Sequence, residues 1–428
     1  MLEIVPRFDY ELTPKGRTHK VVFHLTVEAP SRPPEEKAQR APLNLAMVID
    51  RSGSMNGDKI DFVKRAAHLV VDILDARDRL AVVAYDDMVD TLIKPTPVAN
   101  KDAIKQRINQ LFARGTTNLS GGHQRGEELV RQALEPQQIN RVLLLTDGLA
   151  NMGITDTGQL EAMSRQFKDG GVATTTIGVG DDFNEELLRA MADAGGGNFF
   201  YIENPDQAPA IFQEELGELL TLVAQEITLD LTLAPGVAIT GVLNDYPREE
   251  LAAPDPNDGG GTFRFKLGDA YEAEQKVLVA ELVLPAVHET GPFQVATAQA
   301  SYRRLQPQLE QQQQQLTISK SIAEAEACEK QERAAKVLED MALLQIAQAQ
   351  RLARQQAEKG DLQACSNTLL DTFRKISAMP EMREKFADEL AELENTQQQV
   401  EAGMYDAKLG KAMHSRSYAQ SRRKGKYK

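Results

Sequence analysis

The sequence predicts an α/β fold: a doubly wound, mostly parallel sheet inserted in a small β-sandwich and followed by an α-helical C-terminal region. Three observations carry this reading. In the middle of the chain, near-continuous apolar runs alternate with amphipathic stretches of helical period, the pattern of a parallel sheet covered on both faces. On either side the period falls to two, in short runs bounded by Gly or Pro. From residue 306 onward the apolar positions recur at helical spacing. At 428 residues the chain is longer than one hydrophobic core serves, so a modular reading is required.

The middle domain is expected over residues 41–224. It opens with the apolar strand Leu43–Asp50, followed by a helix over Asp58–Ala76 in which Ile60, Val63, Ala67 and Val70 share a face. Strands are predicted at Leu80–Tyr85, Val89–Ile93, Arg141–Thr146, Thr174–Val179 and Asn198–Ile202. Helices are predicted at Leu160–Phe167, Glu185–Ala192 and Asp206–Val223. Gly195, Gly196 and Gly197 follow a helix and precede a strand, which makes them a helix stop. The flanks, residues 1–40 and 225–305, are read together as the β-sandwich. Its strands are Phe8–Leu12 and Lys20–Glu28, then Glu226–Leu233, Val237–Leu243, Thr262–Leu267, Lys276–Leu284 and Phe293–Tyr302, with Pro247–Gly261 as a surface excursion.

Residues 306–414 are expected to form a helical hairpin or bundle. The glutamine-rich run Gln306–Gln315 reads as a linker or helix lead-in, and Ser321 with Glu324 fits a capping box before a face of Ala334, Val337, Leu338 and Met341. Gly360 breaks the first long helix. The second carries Leu362, Leu369, Leu370, Phe373 and Ile376, and Pro380 opens a third with Phe386, Leu390 and Leu393. Residues 415–428 hold Arg416, Arg422, Arg423, Lys424, Lys426 and Lys428 without an acid, an expected unstructured basic tail suited to docking or self-association.

Composition excludes several classes of function. A 42% hydrophobic and 26% charged chain buries enough apolar surface to fold. A net charge of -14 argues against general nucleic-acid binding, which needs clustered Lys and Arg. No segment approaches ~18 uninterrupted apolar residues, and the amino terminus lacks a charged segment followed by an apolar core, so no membrane span is expected and the localisation reads as cytoplasmic. The two cysteines, Cys328 and Cys365, are expected to be reduced thiols that fill core space.

The chemistry converges on strand ends. Asp50, Ser52 and Ser54 stand at the end of the first strand as D-R-S-G-S, and Asp147 ends another as T-D-G. In a doubly wound sheet such ends open onto one crevice. Between them lies Gly115–Gly122, G-T-T-N-L-S-G-G, whose hydroxyls reach toward the same place. Only oxygen donors are on offer, which selects a hard cation, Mg²⁺ by default or else Mn²⁺ or Ca²⁺.

These residues resemble the metal ion-dependent adhesion site (MIDAS) of von Willebrand factor A (vWA) domains, over the whole middle domain. The D-x-S-x-S motif falls on Asp50, Ser52 and Ser54, the threonine of the G-x-T loop on Thr117, and the aspartate of the T-D-G strand end on Asp147. The resemblance implies a Rossmann-like domain in which the serines bind the ion directly, the aspartates directly or through water, and Thr117 once a ligand arrives. It also implies a non-enzymatic, metal-dependent protein-binding or scaffold function in which a partner protein supplies a Glu or Asp to the ion. Insertion in a β-sandwich is similar to integrin β subunits, inter-α-trypsin inhibitor heavy chains and many bacterial cytoplasmic proteins. Two alternatives remain. One is a regulatory subunit of an ATPase or kinase system, whose nucleotide chemistry would belong to the partner because this chain lacks a Walker-type G-x-x-x-x-G-K-[ST]. The other is a metal-dependent phosphatase similar to haloacid dehalogenase-type enzymes, built on Asp50, Thr146, Gly180 and Asp181. It is disfavoured because Ser52 stands where the general acid would be.

Overall fold

The computed structural model describes residues 1–31, 40–135, 138–147, 150–180, 183–202, 211–212, 215–217, 219, 221–255, 259–304, 310–406, 409–410, 412–413, 416–417 and 420. They fall into two compact units. One consists of Met1–Ser31, Glu226–Tyr302 and Gln311–Lys428, the other of Arg32–Gln225 and Arg303–Glu310.

The second unit holds the α/β sheet. Its strands are β4 (Leu43–Asp50), β5 (Arg79–Tyr85), β6 (Val89–Pro97), β7 (Ile139–Thr146), β8 (Ala173–Val179) and β9 (Gly196–Ile202), in the order β6-β5-β4-β7-β8-β9. All neighbours are parallel except the β5–β6 hairpin. All eight residues of β4 are buried, as expected for a central strand covered on both faces. The strand order reverses between β4 and β7, so their carboxyl ends part into a crevice there.

The helices of this unit are α1 (Asp58–Ile73), α2 (Lys101–Asn109), α3 (Leu119–Gln132), α4 (Thr157–Asp169) and α5 (Glu185–Gly195). Asn100, Asn118, Asp156 and Asn184 cap α2 to α5 through their side chains, each satisfying one of the unpaired first-turn N–H groups. Gly196, with φ +68°, ends α5 in the left-handed conformation, which fits the helix stop expected there. α2 and α3 were absent from the expected helices. Of the helix expected over Asp206–Val223, residues 211–212, 215–217 and 219 are helical, Leu222 and Val223 already belong to the next strand, and most of the rest lie outside the described residues.

The first unit contains two sheets. The strands β1 (Glu3–Phe8), β3 (His19–Glu28), β14 (Gln275–Leu284) and β11 (Ala238–Val242) form one, in the order β1-β3-β14-β11. The other runs β12 (Arg248–Ala252), β13 (Thr262–Tyr271), β10 (Leu222–Leu233), β15 (Gly291–Arg304), β16 (Glu310–Ala323) and β2 (Leu12–Pro14). Helices α6 (Ala325–Cys328), α7 (Ala335–Glu358), α8 (Leu362–Ser377), α9 (Pro380–Lys385) and α10 (Ala387–Glu401) follow. Met341 and Leu344 of α7 pack with Val277 and Val279 of β14, and the buried Asp340 meets His24 Nε2 at 2.6 Å. A separate core joins α7, α8 and α10 through Ile346, Leu369, Leu390 and Leu393. Cys365 sits in it, its thiol pushed up to about 11 by burial, an inert filler.

Several expectations are corrected here. The strand expected at Phe8–Leu12 is two strands, β1 and β2, separated at Asp9–Glu11. The excursion Pro247–Gly261 contains β12. Most consequentially, residues 310–315 of the glutamine-rich run are neither linker nor helix lead-in: they open β16, in which Ile318, Lys320 and Ile322 point inward at period two, while residues 306–309 lie outside the described residues. Lys320 is tolerated there because its ammonium donates to the Tyr10 carbonyl and lies 4.8 Å from the Phe8 ring centroid. Ser321 is therefore a strand residue, Glu324 caps only α6 and without a side-chain bond, and the long helix starts at Ala335. Residues 416, 417 and 420 of the expected unstructured tail are helical, and Ser417 Oγ donates to the Ala347 carbonyl at 2.9 Å. The remaining basic residues, from Arg422, lie outside the described residues.

Candidate metal centre

Asp50 and Asp147 stand at the ends of adjacent strands. Parallel register sets Ile49 beside Leu145, so the next residues along, Asp50 and Thr146, are neighbours. Asp50 is fully buried. Its Oδ1 accepts the Ser52 N–H at 2.8 Å and its Oδ2 the Thr146 hydroxyl at 2.6 Å. Burial pushes its carboxyl above the ordinary range; hydrogen bonds from Thr146 and Ser52 pull it back, and nearby Asp147 adds a smaller upward push.

After Asp50 the chain makes a short 3₁₀ turn, Gly53–Met55, which brings the two serines round. Ser52 Oγ and Ser54 Oγ are 3.0 Å apart. Ser54 Oγ donates to Asp147 Oδ1 at 2.8 Å, and Lys59 Nζ donates to Asp147 Oδ2 at 2.5 Å. Four of the five residues singled out from sequence thus form one hydrogen-bonded cluster.

Thr117 reaches the cluster through backbone. The Gly53 N–H donates to the Gly115 carbonyl at 3.0 Å and the Arg114 N–H to the Arg51 carbonyl at 2.7 Å, stitching the two loops together. Thr117 is itself buried. Its N–H donates to Asn151 Oδ1 at 2.8 Å and its carbonyl accepts the Asn151 and Met152 N–H groups, while its hydroxyl makes no hydrogen bond to a described residue.

Sequence reading missed the supports. Arg51 donates to Asp86 Oδ2 at 3.0 Å and to Asp90, and Arg114 donates to the same Asp86 oxygen at 2.5 Å. Burial would raise the Asp86 carboxyl, but hydrogen bonds from Arg114, the Met88 N–H and Arg51 outweigh it and hold it below its ordinary value. Arg51 lies inside the D-R-S-G-S string and Arg114 directly before the glycine loop, so their positions were the available signal. Thr146 entered only through the phosphatase alternative; here it orients Asp50. Gly180 of that alternative lies against the Lys59 stem, and Asp181 lies outside the described residues. Among the described residues no group of three or more His, Cys, Asp or Glu side chains gathers to hold a metal, so donors beyond the two carboxylates would be hydroxyls or water.

A switch-point crevice with this loop set defines a class of domain: the chain contains a von Willebrand factor type A domain, matched over residues 44–214. Its relatives include the uncharacterized protein sll0103 of Synechocystis, 31% identical over 61% of this chain and 63% of its own length. Another is the uncharacterized protein YfbK of Escherichia coli, 30% identical over 64% of this chain and 47% of its own length. The chain therefore spans about half to two thirds of these relatives. Among solved structures, a von Willebrand factor type A protein from Catenulispora acidiphila superposes with a TM-score of 0.68 over 97% of this chain and 96% of that one, at 18% identity, which shows a shared fold. Domains of this family commonly bind divalent metals and commonly serve protein interaction or adhesion rather than catalysis. No helix among the described residues is long and apolar enough to cross a membrane.

Proposed function

We propose that this chain is a divalent-metal-dependent protein-binding or scaffold protein, in which Asp50, Ser52, Ser54, Thr117 and Asp147 hold Mg²⁺ and an acidic side chain of a partner completes the shell. The observation that carries this is the donor set: two buried carboxylates and two mutually bonded hydroxyls in one cluster. All donors are oxygen, which suits a hard cation. Neighbouring carboxylates repel, and a divalent ion would favour their charged forms. When bound, the ion would supply an electrophilic point for a carboxylate oxygen.

The chain's own residues divide the work. Thr146 and the Ser52 N–H fix Asp50, so its oxygens do not rotate away. The Ser54 proton points at Asp147 and Ser54 Oγ accepts from the Ser52 hydroxyl, which leaves one Ser54 lone pair and the Ser52 lone pairs for a cation. The Thr117 hydroxyl, without a described partner, is available to a cation or to an incoming ligand. The test is a pull-down from native lysate with wild type, Asp50→Ala and Asp147→Ala, each with Mg²⁺ and with EDTA, alongside Mn²⁺ calorimetry. We expect partners lost in EDTA and in both variants, and no Mn²⁺ uptake by the variants. An identical partner list in all arms overturns the reading.

A further inference from the structure

The crevice carries a cation of its own. Lys59 lies in the first turn of α1, beside Asp58 and Asp61, where the helix dipole disfavours positive charge. Its stem runs along Gly180, where a Cβ would come within 3.1 Å of Lys59 Cε. Its Nζ reaches Asp147 Oδ2 at 2.5 Å, and the ammonium stays partly open to solvent, with the side chain 27% exposed against a fully buried Asp147. The other Asp147 oxygen faces Ser54. The two oxygens are thus assigned to different tasks, one to the ammonium and one to the hydroxyl pair.

Charge counting gives this division a consequence. Asp50 and Asp147 together would offset the charge of a divalent ion. Lys59 adds one positive charge at hydrogen-bond distance from one of those carboxylates. Such a charge opposes cation entry and attracts a carboxylate that arrives afterwards.

Resting on the metal-dependent reading above, we propose that Lys59 sets the selectivity of the site for acidic ligands: it weakens the bare ion and strengthens the capture of a carboxylate by the ion-loaded chain. A lysine that only tied α1 to the end of β7 would predict the reverse for the metal, because an untethered Asp147 would be a poorer ligand.

The test uses the full chain at low salt, with Mn²⁺ as the ion and acetate as the carboxylate probe. Mn²⁺ affinity is read by calorimetry, and acetate binding by the broadening of its methyl resonance by bound Mn²⁺. Lys59→Met and Lys59→Gln should each bind Mn²⁺ about ten-fold more tightly than wild type, while their Mn²⁺-loaded forms bind acetate about ten-fold more weakly. Lys59→Arg, which restores the charge, should recover acetate binding relative to Lys59→Met. Weaker or unchanged Mn²⁺ binding in both neutral variants, or acetate binding that ignores the substitution, overturns the role of Lys59 while leaving the metal site standing. Absence of Mn²⁺ uptake by wild type and variants alike overturns the metal site itself, and this proposal with it.

Discussion

Thr146→Val tests the support beneath the crevice. Valine matches threonine in shape and suits a buried strand, so the substitution removes one hydroxyl and little else. That hydroxyl is fully buried and donates to Asp50 Oδ2 at 2.6 Å. A hydrogen bond to a charged acceptor is worth ~1.5 to 3 kcal/mol, and removing the donor strands a buried carboxylate oxygen. Stability in EDTA should therefore fall by about 2 kcal/mol, read from urea unfolding followed at several wavelengths so that separate transitions are resolved. Asp50 would also lose its orientation, and outer supports of this kind are worth ~10- to 100-fold in metal affinity, which calorimetry with Mn²⁺ measures. Thr146→Ser keeps the hydroxyl and should retain most of the affinity. A Thr146→Val protein with wild-type urea midpoint and wild-type Mn²⁺ affinity, or a serine variant as weak as the valine one, would refute the reasoning.

Two further outcomes follow from packing and charge. Gly126→Ala adds a Cβ 2.3 Å from Val48 Cγ2; the overpacking cost of ~1 to 3 kcal/mol exceeds the ~1 kcal/mol gained in helix propensity, so the variant should be less stable and Val48→Ala should rescue it, as a double-mutant cycle would show. His123 is buried, bonded to Thr174 Oγ1 at 2.9 Å and edge-on to Phe167, and burial holds its pKa at about 3, below the ordinary 6.5. Its neutral form is thus favoured in the fold, so its contribution is present above about pH 6.5 and is lost as pH falls toward 3, by ~2 kcal/mol at pH 5. His123→Gln should lose that much less stability than wild type between pH 7 and pH 5, and parallel losses in urea titrations would count against it.

The middle sheet was legible because burial on both faces leaves an unambiguous trace: β4 is apolar from end to end apart from Asn44 and Asp50, and the latter is a candidate site residue. The clustering of Asp50, Ser52, Ser54 and Asp147 was legible for a related reason, since these residues lie at or just past strand ends, where topology brings distant segments together. Helix α3 was illegible because Gly121, Gly122 and Gly126 lower helix propensity. The same glycines let it approach the sheet, since a Cβ at Gly122 would meet the Tyr85 ring at 2.5 Å. Strand β16 was illegible because the alternation of burial that runs from Gln312 falls on glutamines until Leu316, and because an inward Lys320 breaks the apolar pattern. Lys59 could not be singled out because nothing in its neighbours says that it crosses to Asp147.

The long reach of the first unit's contacts bears on how the chain is made. The Leu2 N–H meets the Tyr302 hydroxyl across 300 residues, and the Leu12 N–H meets Gln331 Oε1 across 319. Strand β3 finds its partner β14 only after the whole α/β segment has intervened. At ~5 to 20 residues per second on a ribosome, the amino-terminal strands wait on the order of 15 to 60 s before their partners exist. During that interval all six strands of the α/β sheet, the last of them ending at Ile202, have been made and can pair. Contact order thus separates the chain into an early cassette and a late clasp, and it leaves β1 and β3 as nascent edges in need of shelter while the cassette folds.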